Sequence, residues 1–180
     1  MFSLSKFNKP LNKWNVSKVK NMSYMFSILE YDLDSYIENN LENLIHKVDD
    51  ETEFNQNIES WNVSNVTNMR CMFFGNSKFN QPLNEWNIKN VAILDRMFSN
   101  TDEFNQPLDK WDIRNVHDMD GMFLFAEKFN QSLNCWNFKN VKRFNFLLYQ
   151  AKSYNYPITF KLNNLNYYEL YNTIFNLYKI

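Results

Sequence analysis

The chain has very few of the residues from which catalytic and cofactor sites are built. It holds two glycines and two cysteines in 180 residues, and neither C-x-x-C nor H-E-x-x-H spacing occurs. Two glycines are too few for a phosphate-cradling loop. The cysteines, Cys71 and Cys135, occupy different positions of the repeat described below, so we expect no disulfide. We therefore predict a protein that is not an enzyme and holds no cofactor or metal ion.

Strong net charge and long apolar runs are also missing. The net charge is −1, so no overall field attracts nucleic acid or an anionic membrane. The apolar runs are too short for a transmembrane helix. The first ten residues lack the apolar stretch and cleavage site of a signal peptide. We expect no nucleic-acid partner, no membrane insertion, and a cytoplasmic or virion-associated protein.

Asparagine is abundant, and it belongs to a repeat of 25 residues. The repeat is marked by Trp61, Trp86, Trp111 and Trp136 and by Phe54, Phe79, Phe104 and Phe129. An unvarying period of this length predicts stacked units, each too small to bury its own apolar face. We expect one domain, 1–180, whose repeats cover about 7–27 with residue 53, then 54–78, 79–103, 104–128, 129–153 and 154–172.

The spacing inside one repeat predicts a short strand followed by a helical turn. Trp86 and Ile88 alternate with the polar Asn87 and Lys89, as in a strand with one buried face. The apolar residues that follow are spaced by three, which suits a turn of α or 3-10 helix. The predicted fold class is an α/β repeat solenoid, leucine-rich-repeat-like, with about six coils and a parallel β face.

Residues 28–53 interrupt the repeat. Their apolar positions follow helical spacing and predict one amphipathic α-helix at about 32–48. The apolar face of this helix consists of Leu33, Ile37, Leu41, Leu44 and Ile45. The segment is strongly acidic, whereas the first repeat carries lysines and no acidic residue. We favour a helix that folds back and caps the first repeat; the alternative is a helix that presents its apolar face to a partner.

The repeat also resembles a known family. Residues 58–73, I-E-S-W-N-V-S-N-V-T-N-M-R-C-M-F, resemble the BspA-like leucine-rich repeats found in surface proteins of low-GC bacteria, protists and large DNA viruses. The resemblance covers about 7–27 and 54–172. It departs at the insertion, at Ala92-Ile93-Leu94 and in the sixth repeat. It implies a solenoid used in adhesion or protein–protein interaction, with no known enzymatic activity.

The outward positions of the predicted strands form the candidate binding face. They hold Asn62, Asn87, Asp112 and Asn137, followed by Lys89, Arg114 and Lys139. This polar row with its basic side suits an acidic protein or a glycan, and it equally suits a sheet face kept polar against sheet stacking. We expect a non-catalytic scaffold for protein–protein interaction or adhesion. The alternative is a structural component of a virion or cell surface, such as a minor capsid or envelope-associated protein.

The remaining polar residues are expected to be structural or solvated. An asparagine directly follows the aromatic residue in all six repeats, which indicates a geometric requirement of the coil rather than a ligand site. A second set, Asn65, Asn90, Asn115 and Asn140, is expected to satisfy backbone groups at a bend. The paired carboxylates Asp118 and Asp120 are expected in a solvated turn, and His46 and His117 at the surface.

Overall fold

Successive turns, rather than regular helices or strands, build the observed architecture. The computed structural model describes residues 6–28, 52–157, 159 and 174. In these ranges Phe138–Asn140 form a 3-10 helix, Ile174 is a helical residue, and no strand occurs. Isolated parallel bridges join Asn21 to Asn68, Asn68 to Ile93, Ile93 to Asp118 and Asp118 to Arg143. Each bridge links one repeat to the next, so the repeats lie in a stack.

The predicted α/β solenoid, leucine-rich-repeat-like with a parallel β face, is wrong. The inward and outward sides were predicted correctly, because Trp86 and Ile88 are buried while Asn87 and Lys89 are exposed. The extended stretch is too short for a strand, however. A turn begins at Ile88, whose carbonyl oxygen accepts the Val91 amide at 2.8 Å. Alternation therefore identified the buried side without establishing a β ladder.

The segment predicted as a helical turn instead carries the hydrogen bonds between repeats. Its amides alternate between two kinds of acceptor. Those of Met69, Cys71 and Phe73 donate to the carbonyl oxygens of Ile93, Asp95 and Met97 in the next repeat, at 2.9–3.0 Å. Of the amides between them, that of Met72 donates to the carbonyl oxygen three residues earlier and that of Arg70 donates to Asn68 Oδ1. In a helix these amides would donate to carbonyl oxygens of the same helix. Here half of them donate to carbonyl oxygens of the neighbouring repeat.

In each of the second to fifth repeats, two positions adopt a left-handed backbone conformation. They are Cys71, Arg96, Gly121 and Phe146 at the first position and Gly75, Asn100, Phe125 and Gln150 at the second, with φ between 51° and 70°. Each is the third residue of a hydrogen-bonded four-residue turn, where a type II turn requires positive φ. Residues other than glycine are disfavoured there by about 1–2 kcal/mol. The stacking contacts outweigh that local cost.

The core consists of aromatic columns that run along the stack. Phe54, Phe79, Phe104 and Phe129 form one column, with ring centroids 6.1–6.3 Å apart. Phe26, Phe73, Phe98 and Phe123 form a second, with centroids 5.7 Å apart. Rings of the two columns stack on each other, with centroids 3.8–4.0 Å apart. Stacking thus buries apolar faces that a single repeat would leave in water.

The tryptophans tie each repeat to the one before it. In the second to fifth repeats the indoles are only 2–4% exposed. Their Nε1 atoms donate to the carbonyl oxygens of Leu11, Ile58, Leu83 and Leu108 of the preceding repeats, at 2.9–3.1 Å. Trp14 of the first repeat is 44% exposed. A buried indole needs a hydrogen-bond acceptor, and the stack supplies one in each of these four repeats.

Asparagine rows satisfy the backbone, as predicted. In the first row, the Oδ1 atoms of Asn8, Asn55, Asn80, Asn105 and Asn130 accept the backbone amide of the equivalent asparagine in the next repeat, at 2.8–3.1 Å. In the second row, the Nδ2 atoms of Asn65, Asn90, Asn115 and Asn140 donate to carbonyl oxygens of the preceding repeat at 2.7 Å. Both structural interpretations of asparagine are confirmed.

The predicted insertion, 28–53, lies outside the described residues except for Ile28, Thr52 and Glu53. The candidate helix residues Leu33, Ile37, Leu41, Leu44 and Ile45 lie outside them as well, as does most of the predicted sixth repeat. The main chain nevertheless continues the stacking at Ile174, which is buried and whose carbonyl oxygen accepts the Leu148 amide at 3.2 Å.

Replacing Asn80 should weaken the stack in a way that depends on its acceptor. The Oδ1 atom of Asn80 accepts the Asn105 amide and the Gln106 Nε2, both at 3.0 Å. Asn80→Ala should lower the free energy of unfolding by about 1–3 kcal/mol, because partly buried donors lose their partner. Asn80→Asp retains an acceptor oxygen and should cost less. Urea unfolding measures both variants, and equal losses would show that the acceptor does not matter.

The two glycines offer a matched test of backbone and packing strain. Gly121→Ala should cost about 1–2 kcal/mol, because alanine resists the left-handed φ of 55° while its Cβ has room. Gly75→Ala should cost about 1–3 kcal/mol more, because the added Cβ overlaps the buried Ile28 side chain. Shortening Ile28 to alanine should remove that extra penalty in a double-mutant cycle. Additive effects of the two substitutions would contradict the overlap.

Candidate functional site

The predicted binding face lies on one surface strip, made of residues 15–21, 62–68, 87–93, 112–118 and 137–143. Within this basic strip Asn62, Asn87, Asn137, Lys89, Arg114 and Lys139 are exposed, and Asp112 is half-buried. Equivalent positions of adjacent repeats are stacked, as the 6.4–6.5 Å between neighbouring indole rings illustrates. The structure therefore brings the seven predicted residues into two neighbouring rows.

Each asparagine of the strip uses its side-chain oxygen to shape its own turn. The Oδ1 atoms of Asn62, Asn87 and Asn137 accept the backbone amides two residues later at 3.0–3.3 Å. Such Asx turns account for asparagine at this position. The Nδ2 groups of the same three residues form no hydrogen bond with any described residue and lie on exposed side chains. On these asparagines the donor Nδ2 groups are therefore available to a ligand, whereas the acceptor Oδ1 atoms are occupied by the protein's own backbone.

The second of these rows, Lys89, Arg114 and Lys139, is called the basic row, and its charges are only partly neutralised. Arg114 Nε lies 2.8 Å from Asp112 Oδ2, and this hydrogen-bonded pair lowers the pKa of the Asp112 carboxyl. Lys89 and Lys139 form no ion pair within the part of the chain that the structure describes. Two ammonium groups in the repeats flanking Arg114 therefore remain available to a partner.

The basic strip extends beyond the residues that sequence reasoning identified. Lys18, Lys20, Lys142 and Arg143 also lie exposed within its segments. The five segments hold seven basic residues against two acidic ones, a net charge of +5 in a chain whose total is −1. Net charge alone concealed this segregation. Counting charge by repeat position would have revealed it.

A buried group of ion pairs, which the sequence did not indicate, lies just beyond the strip. The Asp95 side chain is 1% exposed and lies between Arg70 Nε at 3.1 Å and Arg96 Nη1 at 2.9 Å. Burial raises the pKa of Asp95 to about 6, although the two guanidinium groups act to lower it. Arg70 and Asp95 occupy the same position in adjacent repeats, which is the signal that could have identified the pair.

The prediction that Asp118 and Asp120 are solvated turn residues is wrong. Each is only 8% exposed. Asp120 accepts hydrogen bonds from Arg143 Nε at 2.9 Å and from the Asn145 backbone amide at 2.7 Å. Arg143 Nη1 also lies 3.6 Å from Asp118 Oδ2. Stacking covers these carboxylates, because the next repeat supplies both the guanidinium and the amide. They connect two repeats rather than form an acid–base pair in a cleft.

The thiols and histidines form no reactive arrangement among the described residues. Cys71 is buried, and burial raises the pKa of its thiol to about 12, so the thiol stays protonated at neutral pH. Cys135 is exposed and free. His117 is exposed, as predicted, and His46 lies outside the described residues. No set of three or more His, Cys, Asp or Glu in the described ranges is placed to hold a metal ion.

The stability of the protein should depend on pH through Asp95. Its folded pKa of about 6 exceeds the ordinary aspartate value of about 3.9, so folding takes up a proton between these pH values. This contribution to stability is complete below about pH 4 and is lost as the pH rises through 6. The wild type should therefore lose up to about 1.4 kcal/mol per pH unit relative to Asp95→Asn in that window.

Urea unfolding from pH 4 to 8 checks this difference. Asp112→Asn is the matched control, because the pKa of the half-buried Asp112 is lowered rather than raised. Parallel stability curves for the wild type and Asp95→Asn would contradict the assignment.

Comparison with known proteins places the chain in a family. None of the described residues forms a helix long and apolar enough to cross a membrane. No curated protein and no solved structure matches the chain. One family model matches residues 1–44, 29–123 and 93–176, which overlap and together reach from residue 1 to residue 176. The chain therefore belongs to the family described as "Mycoplasma protein of unknown function, DUF285".

Proposed function

We propose that the protein is a non-catalytic repeat scaffold that binds another protein, in interaction or adhesion, through the basic strip. The resemblance of its repeats to those of BspA-like surface proteins supports this role. The Asx turns support it as well, because they direct the same donor group outward in the second, third and fifth repeats. A repeated, exposed array of donors suits an extended contact with a macromolecule more than a small-molecule pocket.

One observation carries the proposal: three lysines outside the strip are neutralised by glutamates of the preceding repeat, whereas no lysine of the strip is paired among the described residues. Lys110 pairs with Glu85, Lys128 with Glu103 and Lys152 with Glu127, each across adjacent repeats. Lys89, Lys139 and Lys142 on the strip form no such pair among the described residues. Exposed cations without partners keep their full interaction with an incoming acidic surface.

Affinity purification with two matched variants tests the proposal. The strip variant carries Lys89→Glu, Lys139→Glu and Lys142→Glu. The control variant carries Lys9→Glu, Lys13→Glu and Lys78→Glu, three exposed lysines outside the strip. Both change the net charge equally. A partner identified with the wild type should be lost with the strip variant and retained with the control, and the purified partner should reproduce this difference.

Thermal melting verifies that both variants remain folded. Co-purification with a capsid or envelope fraction in fixed stoichiometry, equal for both variants, would contradict a binding role. That result would favour the alternative, a structural component of a virion or cell surface.

A further inference from the structure

We infer that the basic strip binds an acidic protein segment in extended conformation, with carboxylates at alternate residues. This inference rests on the proposed binding function and specifies the chemistry of the partner. It draws on three observations: the hydrogen-bonding polarity of the strip, the spacing of its rows, and the positions of the exposed aromatic residues.

The hydrogen-bonding polarity of the strip calls for a ligand rich in acceptors. The Oδ1 atoms of Asn62, Asn87 and Asn137 are occupied by their own backbone, which leaves Nδ2 donors outside. The next row contributes the cationic donors of Lys89 and Lys139. Carboxylates and peptide carbonyls are acceptors, so an acidic peptide complements the asparagine Nδ2 donors and the basic side chains. Asp112, which replaces asparagine in the fourth repeat, is paired with Arg114.

The spacing of the rows matches an extended chain. The tryptophans directly precede the row of Asn62, Asn87, Asp112 and Asn137, and neighbouring indole rings lie 6.4–6.5 Å apart, so this side of the strip advances by a similar step. The opposite side is more closely spaced, because Asn68, Ile93 and Asp118 are joined by parallel bridges. Residues on one side of an extended chain recur about every 6.6 Å. Carboxylates at alternate residues can therefore follow the basic row across the third, fourth and fifth repeats.

A helical segment also matches this step, because residues four apart in a helix advance by about 6 Å. Its carbonyls, however, are already bonded within the helix. Only an extended chain offers peptide carbonyls to the Nδ2 donors of Asn62, Asn87 and Asn137 while its carboxylates contact the basic row. The two rows together therefore favour the extended form.

The positions of the exposed aromatic residues argue against single-stranded nucleic acid. Among the described residues the exposed large hydrophobic side chains are Trp14 and Tyr156, in the first and sixth repeats. Neither belongs to the strip segments. Binding of single strands depends on aromatic side chains on which successive bases stack. The strip offers charge and donors without such a platform.

Fluorescence anisotropy with labelled synthetic peptides tests the inference on the full chain at pH 7 and low salt. Three peptides of the same length contain five glutamates among serine and threonine residues. The glutamates are placed at alternate positions, consecutively, or at every fourth position. The alternating peptide should bind at least about fivefold more tightly than the others. The strip variant should weaken its binding at least about tenfold, as expected for the loss of several exposed pairs, whereas the control variant should bind like the wild type.

Each other outcome overturns the inference. Equal affinity for the three peptides would mean general charge attraction only, and tighter binding of the every-fourth peptide would mean a helical partner. Tighter binding of a single-stranded oligonucleotide or a sulfated polysaccharide of equal charge would identify a different class of ligand. If the affinity purification succeeds while the peptides fail to discriminate, the partner chemistry is wrong and the proposed function stands. If the strip variant retains every partner, the proposed function itself fails.

Discussion

Hydrogen bonding between successive repeats is the constraint on which the rest of this structure depends. A single repeat forms only short turns. In the segment that was predicted as a helical turn, such as residues 69–74, half of the amides have no internal acceptor. The next repeat supplies those acceptors, as when Cys71 donates to Asp95 across the stack. Indole nitrogens and asparagine side chains follow the same rule. The buried polar groups are therefore satisfied only in the stack, and the aromatic columns of the core result from that arrangement.

The same constraint determines what the surface can offer. Asparagine is usually regarded as an adaptable binding residue, yet the asparagines of the two backbone-satisfying rows are used inside the stack. Asn80 accepts two hydrogen bonds from the next repeat, and Asn90 donates one to the preceding repeat. Asn87 differs, because its oxygen closes a local turn and its nitrogen remains outside. The surface that remains for recognition is therefore a surface of donors and cations, although the chain as a whole is nearly neutral.

Features shared by every repeat were predicted from recurrence in the sequence, whereas features that vary between repeats were missed. The burial of Trp86 and the structural role of Asn80 follow from recurrence alone. The burial of Asp95 does not, because its neighbours Arg70 and Arg96 have no counterparts in most other repeats. Secondary structure was mispredicted for a different reason. Spacings of two and three identify the inward side, but they do not reveal that Arg96 takes a left-handed φ, which local preference opposes and stacking imposes.

The buried ion pairs contribute something that the repeated contacts cannot. A buried pair adds little net stability, because removing two charges from water offsets most of their attraction. The phenylalanine, tryptophan and asparagine contacts are alike in the second to fifth repeats and would be nearly as well satisfied in a stack of different order. The pairing of Asp95 with Arg70, and of Asp120 with Arg143, occurs between particular neighbours. These unlike pairs are the contacts that a stack out of register would lose, so they favour one order of repeats over another.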